Sequence, residues 1–209
     1  MKKYFVIYLI IAVMLLNGCS VEVKTENNPD MFISPAELNE TEQKILNLVG
    51  EGKTKIFNFS INEDVKSMKF KVTDYSDADN PKVVDLFGFN NESGSLKGRL
   101  SVSFSNENEI KVAVETGDST IHGSSRTDKI DENIADKSSG TSLCYLHDSY
   151  EISIEKPVPL AVILKTDSDV RSTYFVENYI SNPNLFKQYD NSYLLTVTFY
   201  DKHLNELPD

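Results

Sequence analysis

Histidine, cysteine and positive charge are all scarce in this 209-residue chain, and each shortage removes a class of chemistry. The three histidines, His122, His147 and His203, stand far apart. None has a second ligand three or four residues away, so a zinc site has no support. Only 21 lysines and arginines oppose 32 acidic residues, and the resulting net charge of −11 repels nucleic acid and anionic headgroups. The acidic clusters Asp74 to Asp79 and Asp167-Ser168-Asp169 lack the glycine and distal glutamate of an EF-hand loop and read as solvated turns. Internal repeats and blocks of like charge are missing too. The only long uncharged apolar run is Tyr4 to Leu16, which as a helix spans roughly 20 Å, well short of a ~30 Å hydrocarbon core.

What is present begins with that run. It follows Lys2 and Lys3 and closes on Leu16-Asn17-Gly18-Cys19, an aliphatic residue, two small or small-polar residues and a cysteine. The segment resembles the leader and lipobox of bacterial lipoproteins. The resemblance implies that residues 1–18 are a removed signal peptide and that Cys19 is lipid-modified and becomes the first mature residue. It also places the protein on the extracytoplasmic face of the cell membrane. Two acyl chains hold where one binds only marginally, at about 0.8 kcal/mol per buried methylene. Without its leader the chain carries 19 basic and 32 acidic residues, a charge of −13. Cys144 is then the sole free thiol, no intrachain disulfide can form, and its apolar neighbours Leu143, Tyr145 and Leu146 point to a packed strand cysteine.

Residues 19–30 are polar and aperiodic and read as a flexible tether. Ser34-Pro35-Ala36-Glu37 has the form of a capping box with proline at the first helical position, and Asn39 and Glu42 repeat the spacing. One helical turn at 35–38 and a longer helix at 40–49 are expected, with Leu38, Ile45, Leu48 and Val49 on one packing face. After Gly52 the period becomes two. Phe57, Phe59 and Ile61, then Met68, Phe70 and Val72, then Leu96, Leu100, Val102 and Phe104, then Ile110, Val112 and Val114 alternate with polar residues, and Val83 to Phe89 is more uniformly apolar. Short polar turns between these runs predict antiparallel pairing. A polar stretch, 123–141, follows as a loop or linker. Strands are expected again at 142–147, 150–155, 159–166 and 193–200. Leu160 to Leu164 is apolar at every position, as in a central strand covered on both sides. The fold expected is mainly β, an antiparallel two-sheet sandwich over one domain, 31–209, with a short N-terminal helix packed on it.

Gly117-Asp118-Ser119 superficially resembles the nucleophile block of GDSL hydrolases, but the alternating helices of that family are lacking and Asp201-Lys202-His203 has the wrong spacing. The tripeptide reads as a hairpin turn. More broadly, Ser34-Pro35-Ala36-Glu37-Leu38 through Ile45-Leu46, Ile56-Phe57-Asn58-Phe59, Val65-Lys66-Ser67, Gly98-Arg99-Leu100, and Pro159-Leu160 through Val170-Arg171-Ser172 are similar to a group of uncharacterised lipoproteins of Gram-positive bacteria. This likeness implies a shared fold and membrane address and brings no catalytic residues, metal or cofactor. The expected role is a non-catalytic binding or interaction module for an envelope protein or ligand, the alternative being an accessory subunit or an envelope enzyme with a dispersed site. The densest aromatic stretch, Ser172 to Asn191, is where a partner surface is expected, with Tyr174 and Tyr179 exposed.

Overall fold

The structure, a computed structural model, describes residues 31–49, 53–105, 109–117, 119–126, 140–166 and 173–208. The leader, Cys19, the tether and Asp167-Ser168-Asp169 lie outside them. The strands are β1 (Phe32–Pro35), β2 (Thr54–Ile61), β3 (Ser67–Asp74), β4 (Lys82–Asn90), β5 (Leu96–Phe104) and β6 (Glu109–Thr116). They continue with β7 (Ser119–Arg126), β8 (Gly140–Tyr145), β9 (Tyr150–Glu151), β10 (Pro157–Thr166) and β11 (Asn191–Tyr200). Two helices, α1 (Glu40–Val49) and α2 (Val176–Ser181), and 3-10 turns at Pro183–Gln188 and Leu204–Glu206 complete the described chain. No helix among the described residues is long and apolar enough to cross a membrane.

The period-two runs form two antiparallel sheets, ordered β7-β6-β5-β2-β1-β9 and β4-β3-β11-β10-β8. Phe57 and Phe59 of β2, Leu100 and Val102 of β5 and Val112 and Val114 of β6 meet Met68, Phe70 and Val72 of β3 and Leu195, Val197 and Phe199 of β11 in a single core. Each fully buried side chain of this size stabilises the fold by about 1.5–3 kcal/mol. Strand β10 has the two covered faces its sequence predicts. A bulge between Pro159 and Ala161 keeps Val158, Leu160, Ala161 and Ile163 all in this core. Val162 and Leu164 point the other way, into a second cluster with Leu194, Val176, Tyr179 and Phe186, roofed by α2 and the 3-10 turn after it.

Three local expectations are corrected. Ser34-Pro35-Ala36-Glu37 opens no helix, because residues 32–35 are strand β1, paired with β2 on one side and β9 on the other, and Ile33 is fully buried there. The long-range burial of Ile33 outweighs a local capping signal, whereas the second signal is used. The Asn39 side chain accepts from the N–H groups of Thr41 (3.0 Å) and Glu42 (2.9 Å), and Glu42 accepts from the Asn39 N–H (2.9 Å), so α1 starts where predicted. Secondly, Ile45 and Leu48 of α1 are exposed, and the helix is tied to β5 instead by Glu42 and Arg99, 2.7 Å apart. Thirdly, the polar stretch from residue 123 begins inside a strand. Gly117, at φ 59°, turns the chain so that Thr116 faces Ser119 and β7 pairs with β6 along its length. Strand β7 has little apolar pattern because it is an edge strand whose Gly123 makes room for the ring of Phe87, itself stacked 4.8 Å from Phe70.

Candidate functional site

A cleft opens at the β9 end of the first sheet, and a proline makes it. The Ala36 N–H donates to the Ile56 carbonyl of β2 (2.9 Å), so by alternation the outward groups of β1 belong to Met31, Ile33 and Pro35. Met31 accepts from the Ile152 N–H (3.1 Å) and Ile33 stands opposite Tyr150. Pro35 has no N–H to offer, so β9 stops after two residues and its preceding segment, 147–149, swings away from β1. The gap left between them is a cleft of about 640 Å³, the size of a small-ligand site. Its floor is Phe32, Ser34 and Asn58, which alternate with the buried Ile33, Phe57 and Phe59 and so lie on the outer face of the sheet. Glu37, just after β1, and His147, Asp148 and Ser149, just before β9, complete its wall.

The wall extends into the aromatic segment. The ring of Phe175 stacks on His147, centroids 5.9 Å apart at 18°, and 63% of Phe175 is exposed. Tyr174 beside it is 40% exposed. Tyr179 is not part of this surface, contrary to expectation, because it is fully buried in the second cluster. Its hydroxyl lies 3.2 Å from that of Tyr189, Tyr174 packs edge-on against its ring, and desolvation pushes its phenol well above the usual range. The helix responsible starts at Val176, so Phe175 is an extended cap residue and does not share a helical face with Tyr179. Phe186 is likewise buried, stacked on Tyr75 at 4.0 Å.

Residues 32–199 match the YgaN domain family model. The chain belongs to the YgaN domain family. The match runs from the start of β1 to the penultimate residue of β11, so the strands that bound the cleft are part of the YgaN domain itself. No curated protein and no solved structure matches the chain.

Among the described residues no three histidine, cysteine, aspartate or glutamate side chains converge to hold a metal ion. Cys144, on β8, is half-buried beside the second cluster. Burial pushes its thiol pKa up against the opposing hydrogen bonds of Ser142 and Thr173, which disfavours a reactive thiolate. Sequence reasoning missed the cleft because its walls come from segments more than 100 residues apart. The one local signal was Pro35, the position that cannot continue an edge pairing.

Proposed function

We propose that this YgaN domain is a non-catalytic binding module held at the extracytoplasmic face of the membrane through lipidated Cys19, with the cleft beside β1 as its ligand site. The lipobox-like Leu16-Asn17-Gly18-Cys19 supports the address. The observation that carries the binding reading is the exposed Phe175, stacked on a cleft-lining histidine and spared from both cores. An exposed aromatic beside a concave space that holds a few polar groups supports a recognition site. Two measurements test the two parts. Metabolic labelling with an alkyne palmitate analogue is expected to mark the wild type and leave Cys19→Ala unlabelled, and equal label on both overturns the anchor. In intact cells a photo-crosslinking phenylalanine at position 175 is expected to give a discrete adduct, while one at Val83, equally apolar and 58% exposed on β4, gives none. Indistinguishable products from the two positions overturn the site.

A further inference from the structure

We propose that the cleft recognises an alkylammonium or guanidinium group, so that the ligand class is a basic side chain or a polyamine. The inference rests on the binding-module reading and adds the charge of what is bound. Two carboxylates, Glu37 and Asp148, are among the residues that line the cleft, and no lysine or arginine is. Neither carboxylate has an ion-pair partner among the described residues. Arg99, opposite Asn58 in the ladder, is committed to Glu42 at 2.7 Å. Among the described residues, then, no lysine or arginine lining the cleft offsets its two carboxylates.

Carboxylates alone would make only a solvated acidic surface. Here they come with a concave space and with two aromatic rings, of which Phe175 is exposed and Phe32 half-buried. Phe32 lies in the floor, and Phe175 stands in stacking contact with His147 on the wall. An aromatic face beside carboxylates suits a cation with an aliphatic stem, whose head meets the charge while its methylenes and ammonium meet the ring. The whole chain contributes in the same direction, since a net charge of −11 raises the local concentration of cationic ligands around any acidic concavity. The oxygens of the other lining residues Ser34, Asn58 and Ser149 can accept the additional hydrogen bonds of an ammonium or guanidinium head.

The test is a calorimetric titration of the full-length protein in neutral detergent at pH 7.5 and low ionic strength, with penta-lysine and spermine as probes and penta-glutamate as the opposite-charge control. Wild type is expected to bind the cationic probes and not penta-glutamate. The double variant Glu37→Gln/Asp148→Asn should weaken binding about fivefold or more, as expected for two partly exposed charge contacts. A double variant removing equal charge elsewhere, Glu63→Gln/Asp201→Asn at the β2–β3 turn and after β11, should change it less than about twofold. Phe175→Ala should cost about two- to fivefold. A stronger response to penta-lysine assigns the site to a basic polypeptide segment, and an equal one to free amines. Equal weakening by the two double variants means that only the overall charge binds, and overturns the proposal, as does wild-type protein that ignores both cationic probes. The crosslink at position 175 does not depend on ligand charge. A discrete adduct with no cation binding thus overturns this inference alone, and loss of the adduct overturns the binding site itself.

Discussion

At the scale of single residues, the two tyrosines expected to act together divide between interior and surface. Tyr179 fills the second cluster under α2, so Tyr179→Ala should destabilise the fold by about 3–5 kcal/mol in urea denaturation. Tyr174→Ala, at a position 40% exposed, should cost less than about 1 kcal/mol. Equal costs would contradict this division. Gly123 presents the complementary case. A Cβ there would overlap the ring of Phe87, which is stacked on Phe70, so making room for it would disturb that stacking. Gly123→Val is therefore expected to lose about 1–3 kcal/mol by overpacking, although β7 lies at a sheet edge where substitutions are usually tolerated. A wild-type denaturation midpoint in that variant would show that the edge yields. Neither Tyr179 nor Gly123 announces its environment locally. The tyrosine sits in a polar, aromatic-rich connection and the glycine in a serine-rich run, and both are assigned by partners distant in the chain.

Among the elements, α1 shows how much a short helix can owe to its first turn. It has a complete capping box and exposes Ile45 and Leu48, so its link to the sheet is polar. The hydrogen bond from Arg99, with the Asn39 N–H as second contributor, holds the Glu42 carboxyl below its ordinary value of 4.5. A depressed carboxylate pKa stabilises the folded form above the ordinary value, and that contribution is lost as pH falls through the folded one. Amide exchange at Gln43 to Asn47, corrected for intrinsic rates, should therefore accelerate between about pH 5 and pH 3. Glu42→Gln keeps a cap acceptor and loses the titration, so its exchange should be faster than wild type at pH 6 and nearly flat on acidification. The same pH profile in both proteins would remove Glu42 as the cause. The start of this helix was legible because a capping box is contained within four residues. Its packing was not, because the apolar stripe that suggests a buried face says nothing about whether another element lies opposite.

For the whole molecule, the decisive fact is that strands from before and after the polar stretch at 123 interleave. In the second sheet β3 pairs with β11 over eight residues and β11 pairs in turn with β10, while β1 and β9 pair in the first. Cutting the chain at an engineered protease site between Arg126 and Gly140 should leave two fragments that co-elute as one species and separate only in denaturant. Fragments that separate under native conditions, each with its own cooperative transition, would mean that the halves fold apart. Interleaving also explains the cleft, which exists only because β9, arriving from residue 150, pairs with β1 near residue 32 and is stopped there by Pro35.

The alternation of apolar and polar residues determined the antiparallel sandwich and most of its inner face, since a period of two has one consistent solution when one side must be buried. The fully apolar run of β10 likewise determined a strand covered twice. The tertiary structure alone decided which edges pair, that Ser34 and Pro35 are strand, that Tyr179 is interior and that Phe175 is not, and where a concave surface forms. Those outcomes depend on contacts between residues tens to more than a hundred positions apart, and the residues involved are polar or small enough to be compatible, taken alone, with either environment.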